Sequence, residues 1–132
     1  MYKIEVKSNK RQDFIDVTRE ISEIIKKDGM TSGIAIIFVT HTTAGITINE
    51  NADSDVLEDL GSTLNSVFPT RSDYSHVEGN SDAHVKSMLT SASLTCIVEN
   101  NKLVLGVWQA IYLCDFDGPR TRQIFVKLVS DK

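Results

Sequence analysis

Apolar and polar positions along this chain switch between two periods. Tyr2 to Ser8 reads as a first strand. Asp16 then stands where a helix N-cap belongs, ahead of the stripe Val17, Ile21, Ile24 and Ile25. Lys26 and Lys27 suit that helix's C-terminus, and Gly29 suits a left-handed cap. Gly33 to Thr40 is continuously apolar and too short for a typical helix, which predicts a buried strand. Gly45 breaks the chain, and Ile46 to Ile48 resumes a short strand. Asn51 or Asp53 can cap a second helix whose apolar face is Leu57, Leu60, Leu64 and Val67, with Pro69 after its end. A polar loop, 70–80, leads to Ser81 or Asp82 as cap of a third helix, with Val85, Met88 and Leu89 facing inward.

From Leu94 the pattern is β. Leu94–Val98 and Leu103–Trp108 flank Asn100 and Asn101, which tolerate positive φ and fit a tight hairpin. Ala110–Phe116 continues as strand, Asp117-Gly118-Pro119 turns, and Gln123–Val129 is the last strand. Strand, helix, strands, helices and a closing run of strands predict an α+β fold: a mainly antiparallel sheet with about three helices on one face. At 132 residues the chain is expected to be a single domain, 1–132.

Composition narrows the function. A net charge of −4 without a Lys/Arg run argues against nucleic acid. No apolar stretch approaches the ~20 residues a spanning helix needs, so no membrane role is expected. Cys96 and Cys114 are isolated in apolar runs and read as buried reduced thiols. With no signal peptide at the start, these features predict a cytoplasmic protein.

All three histidines lie in two polar segments: His41 at the end of the most hydrophobic strand, His76 and His84 around a Gly-Asn-Ser loop. Imidazole binds transition metals and moves protons near neutral pH. A strand end, a loop and a helix can supply the first ligands of a catalytic metal while leaving one position open. The competing reading is hydrogen-bonded or surface histidines. Glu50, near the His41 strand end, is a candidate ligand or base. Asp82 is a candidate proton carrier or a plain N-cap. Asn80 and Ser81 open the third helix, where backbone N–H groups can meet an anion. Arg120 and Arg122 are better anion candidates, or surface partners of Asp115 and Asp117. Trp108 reads as core, and Gln109 beside it needs a partner if buried.

Three blocks, His41-Thr-Thr-Ala-Gly-Ile-Thr-Ile-Asn-Glu50, HVEGNSDAHVKSML from His76 to Leu89, and Leu103–Gln109 through Asp115–Arg120, resemble the YjbQ family in the same order over essentially the full length. Three departures stand out: Asn101 where the family's hairpin has Gly, Val107 where its strand has Thr, and Ser91-Ala92 where it has Gly. The resemblance implies a compact α+β fold with a large antiparallel sheet, assembled as a homotrimer. It also implies an active site around His41, His76 and His84, with Glu50, Asn80, Asp82, Gln109 and Arg120 as further polar members. Some members are described as having weak thiamine-phosphate synthase (transferase) activity.

The expectation is a metal-dependent enzyme acting on small phosphorylated or anionic metabolites. His41, His76 and His84 would hold a divalent transition metal, zinc by preference, because imidazole suits zinc better than Mg²⁺. Glu50, Asp82 and Gln109 are the catalytic candidates; Asn80, Ser81 and Arg120 would grip the anion. Two alternatives stay open: a non-catalytic trimer that binds a metabolite or partner and uses its histidines structurally, and a metal-free enzyme using histidine as acid and base.

Overall fold

The computed structural model describes all residues from Met1 to Lys132. In chain order its elements are β1 (Tyr2–Lys7), β2 (Asp13–Asp16), α1 (Thr18–Asp28), β3 (Gly33–Val39), β4 (Ala44–Glu50), α2 (Ser54–Val67), α3 (Ser81–Thr90), β5 (Ser93–Glu99), β6 (Lys102–Leu103), β7 (Gln109–Asp115) and β8 (Thr121–Ser130). The strands form two sheets rather than one. Five pair in the order β1-β8-β3-β5-β6 and three in the order β2-β7-β4, with every pairing antiparallel. The expected α+β class with three helices and antiparallel sheets is what the chain adopts. No helix is long and apolar enough to cross a membrane.

The main core lies between the two sheets and is closed by α1. Ala35, Ile37 and Val39 of β3 and Ile124 and Val126 of β8 meet Ile46 of β4, Ile111 and Leu113 of β7, and Ile21 and Ile25 of α1. The other side of β7 turns Ala110, Tyr112, Cys114 and Phe116 toward a second cluster with Ala83, Phe14, Leu57 and Leu64, beneath α2 and α3. Both faces of β7 are covered, so its sequence runs apolar instead of alternating. Burial raises the thiol pKa of Cys96 and pushes that of Cys114 up to about 12, which fits inert buried thiols.

Several elements depart from the sequence pattern. Asp13–Asp16 is a strand pairing with Tyr112–Asp115, so α1 begins two residues after Asp16. Asp16 still serves the helix start, because its carboxylate accepts the Thr18 N–H at 2.9 Å. β3 is buried on one face only: Ala35, Ile37 and Val39 point into the core, while Phe38 is 44% exposed on the outer side. On α3 the expected inward face is turned outward. Met88 and Leu89 are exposed, and Asp82, Ala83 and Lys86 are buried, because a buried ion pair rather than an apolar stripe seats this helix. α2 rests on Gly61, and Leu60 and Val67 of its predicted face stay exposed. Leu103–Trp108 is strand only at its first residue, and Trp108 lies on the surface rather than in the core.

Two buried polar contacts join the sheets. Asp115, the last residue of β7, is fully buried and receives Arg122 Nε at 3.0 Å, Arg122 Nη2 at 2.7 Å and Ser8 Oγ at 2.6 Å. Arg122 Nη2 also donates to Thr43 Oγ1 at 2.8 Å. Burial pushes the Asp115 carboxyl up, but Arg122, Ser8 and the Asp117 N–H outweigh it and hold it below the usual carboxylate range. Its contribution to stability is therefore complete above that range and is lost as pH falls toward the folded value. Arg122→Met leaves Asp115 buried without its countercharge, and should cost about 3–5 kcal/mol in urea unfolding at neutral pH, with the transition slope unchanged. A loss below about 1 kcal/mol would show that the pair does not hold the sheets together.

Candidate functional site

The sequence positions of the three histidines converge because α3 lies directly on β4. Gly45 makes this possible: a Cβ there would strike the Thr90 side chain and the Ser91 carbonyl. Ser87 Oγ donates to the Ala44 carbonyl at 2.8 Å, and Ile46 N–H donates to the Ser91 carbonyl at 2.9 Å. His84, one turn into α3, is thereby carried to the end of β3, where His41 follows Val39 by two residues. His41 and His84 line one open recess of about 480 Å³ together with Thr42, Ser87 and Met88. His76, in the loop before α3, packs edge-on against His84, ring centroids 5.4 Å apart and planes at 89°.

His41 is held by the backbone. The Gln123 N–H donates to its Nε2 at 2.8 Å, so the neutral ring carries its proton on Nδ1. Burial and the guanidinium of Arg122, with a smaller effect of Arg120, lower its pKa; Asp115 opposes them. Arg120 itself is half-exposed and tied to Asp117, through Nη2 to the carboxylate at 2.9 Å and Nε to the carbonyl at 2.9 Å. Asn80 Nδ2 donates to the same Asp117 carboxylate at 2.8 Å, while Asn80 Oδ1 is buried without a donor. Asn80 is thus held at the start of α3 by the same carboxylate that holds Arg120.

Asp82 is committed elsewhere. Its carboxylate takes both Arg11 Nη atoms at 3.1 Å and Lys86 Nζ at 3.3 Å, with no exposed surface. Burial raises its pKa, but Arg11 and Lys86 outweigh this and leave it below the usual range. A carboxylate so paired seats α3 and is poorly suited to move protons. Ser81 is the first residue of α3, partly buried beside Asn80. Arg11 and Gln123 were not legible as site neighbours: Arg11 lies 71 residues from Asp82, and Gln123 acts through its main chain.

Glu50 and Gln109 are not brought to the histidines within the chain. They face each other as the last pair of β4 and β7, while Ala44 pairs with Asp115 at the histidine end. Seven residues at about 3.4 Å per step set the two ends of β4 about 20 Å apart. Gln109 is exposed, and its Oε1 accepts the Gly106 N–H at 2.8 Å, pinning the turn that carries Val107 and Trp108.

Two imidazoles bound to one zinc ion at about 2.0–2.1 Å in tetrahedral geometry have ring centroids about 5 Å apart. The His76–His84 pair, at 5.4 Å, fits that spacing. His41 offers only Nδ1, its Nε2 being engaged, and no three His, Cys, Asp or Glu side chains converge at ligating distance in the chain. The same spacing is that of an edge-to-face aromatic pair, and His76 Nε2 lies 3.9 Å from a Glu78 carboxylate oxygen.

The family model for UPF0047 protein YjbQ-like matches residues 2–131. YugU, a UPF0047 protein of Bacillus subtilis, is 49% identical over 127 residues, covering 96% of each chain. A UPF0047 protein of Methanocaldococcus jannaschii is 46% identical over all of this chain and 96% of its own. A crystal structure of a YjbQ/UPF0047 protein from Clostridium acetobutylicum, 48% identical, superposes with a TM-score of 0.95 over 98% of this chain and 100% of that one. A YjbQ-like protein of Sulfolobus solfataricus, 31% identical, gives 0.93 over 98% and 96%.

The His41 environment predicts a pH dependence. Its folded pKa lies below the unfolded value of about 6.5, so the unfolded chain binds more protons in that window. Stability from this group is complete above pH 6.5 and falls as pH drops toward the folded value. In metal-free protein His41→Gln, which keeps an acceptor for Gln123, should flatten urea stability between pH 7.5 and 5; an unchanged slope would show that His41 is not the group responsible.

Proposed function

The chain belongs to the YjbQ (UPF0047) family, and from that premise we propose that it is a metal-dependent enzyme acting on a small phosphorylated molecule at the histidine recess. The observation that carries this reading is the His76–His84 pair, two imidazoles in edge-on contact beside the recess lined by His41. His76 and His84 would hold the ion, zinc by preference, with His41 facing the same recess. The ion, when bound, supplies positive charge against a phosphate oxygen. Arg120, half-exposed beside Asp117, can release its carboxylate partner to grip a phosphate in bidentate fashion.

The relatives' names carry no activity, and the substrate class proposed here combines the site's chemistry with the activity that the family resemblance implies. Thiamine-phosphate synthase chemistry, the joining of a pyrimidine diphosphate to a thiazole phosphate, is the most concrete form. A site of imidazoles suits zinc rather than the Mg²⁺ that usually accompanies diphosphate departure, which makes that transfer an incidental activity in this reading. A homotrimer is part of the proposal, supported by apolar side chains left outward, among them Phe38, Ile97 and Val129. A cytoplasmic setting is supported by two free buried thiols. The neutral, backbone-held His41 favours a second reading, a metal-free acid–base enzyme, which activity insensitive to chelators would select.

Elemental analysis of untagged protein should find about one transition-metal ion per chain, and His84→Ala should lose it with the far-UV circular dichroism unchanged. Stoichiometric metal in His84→Ala would remove that residue from the site, and absence of metal after reconstitution would remove the metal from the reading.

A further inference from the structure

Every arginine of the chain, and Lys86, is spent on a carboxylate. The other lysines form no ion pair, and two of them, Lys26 and Lys102, line one cleft of about 510 Å³. That volume is ordinary for a small-molecule site, about 300–1,000 Å³. One wall is α1, which presents Thr18, Ser22 and Lys26 at intervals of four and so on one face. The other is the β5–β6 hairpin with the segment after it, which brings Asn100, Lys102, Leu103 and Leu105. No carboxylate lines the cleft. Thr18 Oγ1 accepts the Ile111 N–H at 2.8 Å, which fixes the oxygen and leaves its proton free to donate. The side chains of Ser22 and Asn100 have no partner in the chain. Three carboxylates close in sequence are engaged elsewhere: Glu23 by Arg19 at 3.1 Å, Asp28 by the Tyr2 hydroxyl at 2.7 Å, and Glu99 by the Ser32 hydroxyl at 2.9 Å. Glu99 stands opposite Lys102 in the hairpin register and still makes no ion pair with it.

We propose that the cleft between α1 and the β5–β6 hairpin binds the phosphate group of a small molecule, at a site separate from the histidine recess. Two ammonium groups, two hydroxyls and an amide, with no carboxylate among them, match an anion that accepts several hydrogen bonds at once. Phosphate suits the compact charge of lysine, whereas a carboxylate is matched better by the fork of an arginine, and no arginine lines this cleft. Leu103 and Leu105, both partly buried, offer an apolar body a place to rest. No histidine or carboxylate is at hand to move a proton, so the site binds its ligand without reacting with it. The length of β3 separates the two sites. Gly33 pairs with Val98 at the hairpin end, and His41 follows Val39 at the other. Seven residues at about 3.4 Å per step put those ends about 20 Å apart.

An NMR titration of the whole isotope-labelled chain with phenyl phosphate tests the site without reference to metal or activity. Amide shifts should saturate at Ser22, Asn100, Lys102 and Leu103. Inorganic phosphate should move the same amides with lower affinity, because it lacks the apolar body, and phenol should not move them. Lys26→Gln and Lys102→Gln alter exposed side chains, so the fold should stand, and each should weaken phenyl phosphate about fivefold. Lys127→Gln, at an exposed lysine of β8, should leave the affinity unchanged. Shifts that grow without saturating, or an affinity unaltered in both Lys26→Gln and Lys102→Gln, would overturn the site. Benzoate binding as tightly as phenyl phosphate would overturn the choice of phosphate. Saturable shifts confined to His41, His84 and Arg120 would also overturn it while supporting the histidine recess, so one titration reads the two sites apart.

Discussion

The buried pair of Asp115 and Arg122 governs the rest of the structure. Asp115 ends the small sheet, and Arg122 lies in the large one. A carboxylate with no exposed surface is tolerated only when its lone pairs are filled. Here Ser8, both Arg122 donors and the Asp117 N–H fill them. Each donor comes from a different place: the end of β1, the interior of β8 and the turn after β7. One desolvated oxygen pair therefore fixes three chain segments at once. Arg122 in turn fixes Thr43, and the residue after Arg122 supplies the N–H that holds His41. The histidine ring is oriented by the same contact that joins the sheets.

Asp82 repeats the device at the surface of the second cluster. Arg11 from the β1–β2 connection and Lys86 one turn along α3 close on it, and Lys86 Nζ also reaches Asn65 of α2 at 2.7 Å. This explains how α3 can display Met88 and Leu89 outward and still stay in place. The helix is seated by ions and by its close approach at Gly45, leaving its apolar side chains free for other use.

Much of this was legible in the chain. Seven of the strand segments and all three helices follow from period and punctuation, since those signals are local. What was not legible depends on residues far apart. Asp13–Asp16 is only four residues long and takes its strand conformation from Tyr112–Asp115. The outward turn of α3 depends on Arg11. Trp108 reads as core because Trp is large and apolar; that it lies on a pinned turn depends on the Gln109 side chain bending back to Gly106. At the site, the convergence of His41 with His84 was suggested by their polar, glycine-containing surroundings. The separation of Glu50 from them was hidden, because nine residues of sequence do not reveal that β4 runs directly away from His41.

The tight turn at Asn100 and Asn101 does more than reverse the chain. Both residues take the left-handed conformation, φ 51° and 60°, and Asn101 Nδ2 donates to the Ile25 carbonyl at 2.9 Å and the Met30 carbonyl at 2.7 Å. Gly29 accepts the neighbouring left-handed cap, its N–H returning to the same Ile25 carbonyl. A glycine at 101 would make the turn as well but would leave the end of α1 unsealed. One side-chain amide thus ties the β5–β6 hairpin to the last turn of α1 across seventy-six residues of sequence, so loosening either end removes a partner from the other.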